Sequence, residues 1–262
     1  MFQATNSYIK LERRLSVSEQ QQEQNKVAVV IVAHPDDAEF AAAGTVAKWV
    51  EEGWDAYYVI CTDAAGGGPD EATDVGPAAR QKITETRKRE QRAAGAVLGL
   101  KDVIFLDYSD GLLQPTIELR RDIVRVLRKY RPARVICQSP ERTWEPFMAI
   151  GRYHPDHLAA GQATLMALYP ASQNPWDFPE LMDEGLKPHK VKEVYISGAP
   201  HVNYFVDISD TMDKKIEALM CHESQFIGRT GELAKMMRSR VADLGKKYWV
   251  EYAEEFHRTE NH

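Results

Sequence analysis

The chain has 262 residues, of which 44% are apolar and 27% are charged, a length and composition that allow one α/β domain with a sizeable core. Its formal net charge of −6 and its lack of long blocks of like charge argue against binding to nucleic acid or an anionic membrane, so we expect a small-molecule partner. No uncharged apolar run approaches the length of a membrane span, and the three cysteines are widely spaced. These features predict a soluble cytoplasmic protein with free thiols.

The first 26 residues differ in composition from the rest of the chain. They end in SVSEQQQEQNK, a polar, glutamine-rich segment with too little apolar surface to offset the entropy of ordering it. We therefore predict a polar arm over residues 1–26, either mobile or docked on a partner. Because no linker or internal repeat divides the remainder, we predict a single domain over residues 27–262.

The remaining sequence alternates short apolar runs with helical patterns. Strands are predicted at 27–33, 55–62, 102–106, 134–139, 191–197 and 204–209. Helices are predicted at 40–52, 78–98, 116–130 and 155–168, with further helices towards the C-terminal end. Continuous valine and isoleucine runs separated by helices are typical of a mostly parallel sheet covered on both faces. The predicted fold is a Rossmann-like three-layer α/β sandwich.

The motif HPDD, from His34 to Asp37, directly follows the first predicted strand. In parallel α/β sheets, ligands bind beyond the carboxyl ends of the strands, so these residues are candidates for a functional site. Pro35 suits the first position of a helix, which indicates that the motif spans a turn from strand to helix. The alternative is that Asp36 and Asp37 only cap that helix and complement its dipole.

A second motif, HPDH from His154 to His157, follows the strand predicted at 134–139 and also leads into a helical pattern. Two His-Pro-Asp turns at one edge of a parallel sheet would bring their imidazoles and carboxylates within reach of one another. These groups are the ligands of catalytic zinc sites, which use three protein ligands and one water. The six candidates are His34, Asp36, Asp37, His154, Asp156 and His157.

The segments AHPDDAEF and HPDHLAAG together resemble the LmbE/PIG-L family of zinc-dependent N-deacetylases, over about residues 27 to 225. The segments RKREQRAAGAVLG, YSDG and KIEALMCHESQ are also similar to family motifs, although the apolar stripe of the last one is explained by packing alone. The resemblance implies a Zn²⁺ cofactor bound by His34, Asp37 and His157. It also implies that Asp36 is the general base that takes a proton from the attacking water.

The other two residues of the second motif fit supporting roles in such a reaction. His154 could stabilise the tetrahedral oxyanion or protonate the leaving amine. Asp156 could accept a hydrogen bond from an imidazole and fix its orientation. The alternative is that His154 and Asp156 merely cap their helix.

Candidate substrate contacts are Arg87 of the Arg-x-x-Glu segment and Asp110 of YSDG. Arg87 could bind sugar hydroxyls or a phosphate, or it could be a surface residue of a charged helix, and Arg89 replaces it if the register is shifted by two. Asp110 could bind sugar hydroxyls or form an ordinary Asp-Gly turn. Glu39 either braces the first motif or caps its helix. The roles of the loops at 141–153 and 169–189 are left open.

The main functional hypothesis is a zinc hydrolase that deacetylates an N-acetylglucosamine-type sugar or conjugate. One alternative is an amidase acting on a larger thiol conjugate or an aromatic amide. Many relatives carry a Gly-Glu pair after the second strand, whereas this chain reads CTDAAGGG there, which argues against carrying over the substrates of the thiol-pathway enzymes. Another is a non-catalytic Rossmann-like binding protein. The family includes hexamers, so a homo-oligomer, either a hexamer or a dimer, is left open.

Overall fold

The structure of the chain is a computed structural model. In the part of the chain that it describes, seven strands form one sheet. The described residues are 25–69, 71–144, 150 and 153–261. The predicted arm over residues 1–26 therefore lies outside the described residues, except for its last two. Among the described helices, none combines the length and the apolar character needed to cross a membrane.

The sheet has the strand order β3-β2-β1-β4-β5-β7-β6. Strands β1 to β5 run parallel to one another, whereas β7 is antiparallel to both β5 and β6. The predicted mostly parallel, Rossmann-like sheet is confirmed. The strands are Val27–Val32 (β1), Asp55–Thr62 (β2), Asp102–Tyr108 (β3), Arg134–Gln138 (β4), Glu193–Ser197 (β5), Tyr204–Asp207 (β6) and Ala253–Glu260 (β7).

Helices cover both faces of the sheet. They are Asp37–Glu51 (α1), Pro77–Leu98 (α2), Ile117–Tyr130 (α3), Pro155–Met166 (α4), Glu180–Asp183 (α5), Met212–Met220 (α6) and Thr230–Lys247 (α7). The four helices predicted by position begin and end within three residues of those observed. The largest difference at a start is in α1, which begins at Asp37 rather than near residue 40 because the chain turns at Asp36.

The C-terminal strand β7 was missed, since only helices were predicted beyond residue 209. Its sequence, AEEFHRTE, has no apolar run that would predict a strand. One of its charged residues, Glu254, is nevertheless buried. Glu254 accepts hydrogen bonds from Lys215 Nζ at 2.7 Å and from Thr45 Oγ1 at 2.6 Å. A charged residue can be buried when such partners replace its hydration, so polarity alone did not indicate exposure.

The core explains why β1 is a continuous apolar run. Because successive side chains of a strand point to opposite faces, alternate residues of β1 enter two different clusters. Val30 packs in the cluster that includes α1, α6 and α7, whereas Ile31 packs in the cluster that includes α3 and α4. The strand is therefore apolar at every position, as expected for a parallel strand that is buried on both faces.

The pairing of β1 with β4 positions the functional site. The two strands are parallel, with Ala28 opposite Arg134 and Ile31 opposite Cys137, so their carboxyl ends lie side by side. Helix α1 begins just after β1, and α4 packs close to the end of β4. This close approach requires a glycine, because a Cβ added at Gly161 would lie 2.3 Å from the backbone oxygen of Gln138.

The substitution Gly161→Ala is expected to lower the free energy of unfolding by about 1–3 kcal/mol, because the added methyl group forces α4 away from the backbone after β4. Denaturant unfolding of both proteins measures this difference. Gly231→Ala in α7 is the matched control, since its added Cβ meets no atom within 4 Å. It is expected to be neutral or to stabilise the helix by up to about 1 kcal/mol. Equal stability of Gly161→Ala and the wild type would show that this packing is not required.

Candidate metal centre and active site

The first His-Pro-Asp turn lies at the carboxyl end of β1 and the start of α1. Asp36 adopts the left-handed backbone conformation, with φ of 79°. The turn is closed by the His34 backbone N–H, which donates to Asp37 Oδ2 at 2.8 Å. Non-glycine residues in this conformation are uncommon and concentrate at functional sites.

The second turn lies at the start of α4. His154 is the N-cap residue, and its Nδ1 accepts a hydrogen bond from the Asp156 backbone N–H at 3.3 Å. The fully buried Asp156 carboxylate accepts hydrogen bonds from the backbone N–H groups of Gly111 at 2.7 Å and Leu113 at 3.1 Å. Asp156 thereby ties the start of α4 to the loop that follows β3.

The two turns meet around the His34 ring. Its Nδ1 lies 3.2 Å from His157 Nε2 and 3.4 Å from Asp37 Oδ2, and His157 Nε2 lies 3.1 Å from Asp37 Oδ1. The opposite ring nitrogen, His34 Nε2, lies 3.0 Å from Asp156 Oδ2 and 3.1 Å from Asp110 Oδ1. Each nitrogen of this imidazole therefore faces a separate group of side chains.

These groups could hold a metal ion in more than one way. Besides the three residues around His34 Nδ1, two sets of three donors have ligand atoms within 4.8 Å of one another. The first is His34, His154 and His157, and the second is His34, Asp110 and Asp156. In the second set, the Asp156 oxygens already accept hydrogen bonds from two backbone N–H groups, which favours a supporting role for this carboxylate.

The electrostatics distinguish the two adjacent aspartates. Burial raises the pKa of Asp36 to about 6, although the positive charge of Arg87 opposes this rise. Burial also acts to raise the pKa of Asp37, but His157 and His34 outweigh it and hold that pKa well below its usual range. Asp37 therefore remains ionised, whereas Asp36 exchanges its proton close to neutral pH.

The histidines differ as well. Burial acts to lower the pKa of His34, but hydrogen bonds with Asp110, Asp156 and Asp37 outweigh it and raise that pKa to about 12. Burial and the neighbouring imidazoles of His34 and His157 lower the pKa of His154. His154 is therefore neutral at pH 7, and its Nε2 carries the proton because Nδ1 accepts a hydrogen bond.

A cavity of about 260 Å³ opens over this cluster. Of the eight predicted site residues, seven line it, and the eighth, Asp156, is buried below. The structure thus places the predicted side chains together at one cavity. The lining comprises His34, Asp36, Asp37, Ala64, Gly66, Gly67, Arg87, Asp110, His154, His157 and Gln225.

The two predicted substrate contacts have partners within the site. Arg87 is only 4% exposed, so the surface-residue alternative is wrong, and its Nη2 donates to Pro35 O at 2.8 Å and to Asp36 Oδ2 at 3.1 Å. Arg89 is exposed and bonds to Thr86, which supports the original register. Asp110 is not merely a turn residue, because its Oδ2 accepts from the Gly66 backbone N–H at 2.9 Å.

Sequence reasoning missed part of the site. Gln91 is not among the predicted site residues, yet its Oε1 accepts a hydrogen bond from the Asp36 backbone N–H at 3.0 Å. The available signal was its position four residues after Arg87, on the same face of α2. His222 was left without a role, but it is fully buried beside Glu39. Gln225 lines the cavity and donates to Gly67 O at 2.9 Å.

The two loops whose roles were left open differ. Residues 145–149 and 151–152 of the first lie outside the described residues, but the exposed rings of Trp144 and Tyr153 stack with their centroids 5.9 Å apart. The second loop, residues 169–189, is anchored by buried Arg128 of α3, away from the site. The guanidinium of Arg128 donates to the backbone oxygens of Ala171, Asn174 and Asp177.

The fold and the site define an α/β protein with a histidine–carboxylate centre at the carboxyl ends of parallel strands. The family model for PIG-L, described as GlcNAc-PI de-N-acetylase, matches residues 29–168. Over 230 residues the chain is 34% identical to diacetylchitobiose deacetylase of Thermococcus kodakarensis, which covers 87% of this chain and 81% of that relative. The chain belongs to the PIG-L de-N-acetylase family.

Other relatives and solved structures are also similar to this chain. A probable N-acetyl-alpha-D-glucosaminyl L-malate deacetylase 2 of Bacillus anthracis is 29% identical over 85% of this chain and 91% of its own length. The structure of N,N'-diacetylchitobiose deacetylase from Pyrococcus horikoshii is 26% identical with a TM-score of 0.78, covering 95% of each chain. GalB of Pseudomonas putida, a 4-carboxy-2-hydroxymuconate hydratase, shares the fold at 22% identity and a TM-score of 0.70.

The substitution Asp156→Ala is expected to weaken the binding of a divalent metal ion, added as Zn²⁺, about 10–100-fold if the ion binds at His34, because His34 Nε2–H loses an acceptor that orients the ring. Titration against a chromophoric chelator measures the affinity. Asp156→Leu keeps the branched shape of the side chain without an acceptor oxygen and tests the same point if Asp156→Ala does not fold. Asp243→Ala, which removes an exposed carboxylate of α7, is the control and should bind as the wild type does. Unchanged affinity in both Asp156 variants would rule out this orienting role.

Proposed function

We propose that the chain is a zinc-dependent N-deacetylase that hydrolyses the N-acetyl amide of an N-acetylglucosamine-type sugar or conjugate. The observation that carries this proposal is the convergence of two His-Pro-Asp turns in one polar cavity, with Asp36 beside the donor atoms of three other residues. Family membership and the substrates named for the relatives, diacetylchitobiose and a glucosaminyl malate, support the same reaction class.

The donor set fits zinc. His34 Nδ1, His157 Nε2 and the Asp37 carboxylate would hold the ion, and their separations of 3.1 to 3.4 Å are close to those of tetrahedral zinc ligands, about 3.3 to 3.4 Å for bonds of about 2.0–2.1 Å. No cysteine joins this set, which is typical of a catalytic rather than a structural site. Bound zinc would lower the pKa of a water to about 7 and polarise the substrate carbonyl.

Asp36 is the proposed general base. Its pKa of about 6 lets it accept a proton from the attacking water at neutral pH and then return that proton to the leaving nitrogen. The hydrogen bond from Arg87 Nη2 to Asp36 Oδ2 fixes the direction of the carboxylate. The water oxygen first adds to the carbonyl carbon, and the carbon–nitrogen bond then breaks as the negative charge on the carbonyl oxygen returns to the carbon–oxygen bond. The nitrogen takes up both protons of the water, so the products are acetate and the amine in its ammonium form.

His154 is assigned to the oxyanion. Because its Nδ1 accepts from the Asp156 backbone N–H, its Nε2–H is free to donate to the developing negative charge on the carbonyl oxygen. A histidine whose pKa is lowered is a poor proton source at pH 7, which favours this role over protonation of the amine. Asp156 acts through His34 as a positioning residue rather than touching substrate.

The polar lining supports a hydroxyl-rich substrate. Asp110, Arg87 and Gln225 present carboxylate, guanidinium and amide groups at the cavity, and these groups suit sugar hydroxyls.

The second candidate, an amidase acting on a larger conjugate, is favoured by one observation. A neighbouring cavity of about 520 Å³ shares Asp37 and His157 with the first and has apolar lining such as Phe40. Homo-oligomeric assembly and a cytoplasmic location stay predictions of the sequence.

Two single substitutions separate the proposed base from the proposed ligands. Asp36→Ala should keep about one zinc per chain but lose about 10²–10⁴-fold in turnover, because only the proton acceptor is removed. His157→Ala should lose both zinc and turnover. Metal analysis and acetate release from an N-acetyl sugar measure these effects, with Asp243→Ala as an exposed control. Wild-type turnover in Asp36→Ala would reject the assignment of the base.

A substrate screen tests the reaction itself. Acetate should be released from N-acetylglucosamine or its conjugates, including N,N'-diacetylchitobiose, at a higher kcat/KM than product is released from aromatic or bulky thiol-conjugate amides. Both series are measured with zinc-loaded protein under the same conditions. Faster cleavage of the bulky amides would favour the amidase alternative, and hydrolysis of neither series would contradict the proposed enzyme class.

A further inference from the structure

The left-handed backbone of Asp36 needs an explanation beyond the turn itself. A non-glycine residue in a sparsely populated conformation carries a strain cost of about 1–3 kcal/mol, and it persists only where its surroundings hold it. The following residues continue into helix α1, and Phe40 N donates to Asp36 O at 3.0 Å. The helix therefore anchors the carbonyl side of Asp36, and the N–H side requires a separate partner.

Gln91 is that partner. It projects from α2, is fully buried, and its Oε1 accepts the Asp36 backbone N–H at 3.0 Å. Its amide can satisfy Asp36 in only one of its two orientations, because the flipped form would place an NH₂ group against that N–H. A second contact selects the correct orientation, since Gln91 Nε2 donates to Glu39 Oε1 at 2.8 Å.

Glu39 is held in turn by α1 and α6. Its carboxylate is fully buried, and Oε2 lies 3.4 Å from Nε2 of the equally buried His222. The Lys215 ammonium donates to the backbone oxygens of Glu39 and Phe40, which fixes the helical turn that carries this carboxylate. Burying a carboxylate is costly unless nearby polar groups compensate it, and here Glu39 Oε1 accepts a hydrogen bond from Gln91 Nε2 and so sets the orientation of that amide.

We propose that Glu39 and Gln91 are positioning residues for Asp36, holding its backbone in the left-handed conformation that directs its carboxylate to Arg87 and the cavity. The catalytic part of this inference rests on the proposed function, in which Asp36 is the base. Neither Gln91 nor Glu39 lines the cavity. Their effect on turnover would therefore act through Asp36 alone.

A double-mutant cycle tests this. Gln91→Leu should lower kcat about 10- to 100-fold through misplacement of the base, with KM within about twofold and zinc content unchanged. In the Asp36→Ala background the same substitution should cause no further loss. Gln81→Leu, the same change at an exposed site of α2, should leave kcat unchanged. Equal losses in both backgrounds would overturn the proposal, because they would indicate a general structural effect.

Conservative variants sharpen the result. Glu39→Gln can still accept from Gln91 Nε2 and should keep most of the turnover, whereas Glu39→Leu should behave like Gln91→Leu. Gln91→Asn, whose shorter amide cannot reach both partners, gives a milder change for the same cycle if Gln91→Leu does not fold. Wild-type kcat in both Gln91 variants would contradict the proposal.

A crystal structure of Gln91→Leu supplies a readout that does not depend on activity. Residue 36 should leave the left-handed region, and its carboxylate should separate from Arg87. A φ that stays near 79° in that variant would overturn the positioning role, whatever the turnover. By contrast, absence of acetate release from the wild type would refute the proposed function, and the crystal structure would still decide the positioning claim.

Discussion

Strands β1 and β4 pair in parallel, from Ala28 with Arg134 to Ile31 with Cys137, and the site depends on this pairing. The His-Pro-Asp turns are about 120 residues apart in the sequence, and the parallel pairing of β1 with β4 brings the ends of these two strands side by side. Each turn starts a helix with proline in its first turn or just before it, so the imidazoles and carboxylates surround two helix N-termini. The absence of a side chain at Gly161 lets the second helix approach closely enough for the rings to meet.

Where the two turns meet, the surroundings of each side chain set its pKa. His34 separates two environments, with Nδ1 facing His157 and Asp37 and Nε2 facing Asp156 and Asp110. The adjacent aspartates differ because Asp37 lies against imidazoles, whereas Asp36 is turned the other way by its left-handed backbone towards Arg87. One residue along the chain thus separates a carboxylate suited to hold a cation from one suited to carry a proton.

The sequence predicted the parts of this arrangement that are encoded locally. Apolar runs predicted six of the strands, and the two His-Pro-Asp motifs predicted the side chains that line the cavity. It did not predict β7, because the strand contains charged residues, one of which, Glu254, is buried, and its sequence therefore looks like a polar segment. It also did not predict the contacts of Gln91 or Glu39. The spacing of Gln91 from Arg87 places both on one face of α2, but it does not identify the partners of Gln91, which lie at the start of α1. Tertiary hydrogen bonds of this kind leave no periodic signal in a single sequence.

The fold alone does not define the chemistry, since a hydratase shares it at 22% identity, so the donor atoms must carry the functional claim. The most direct measurement is anomalous diffraction at the zinc edge from crystals of the zinc-loaded protein. We expect one peak per chain within bonding distance of His34 Nδ1, His157 Nε2 and the Asp37 carboxylate. A peak on the opposite side of the His34 ring, between Nε2, Asp110 and Asp156, or no peak at either position, would contradict it.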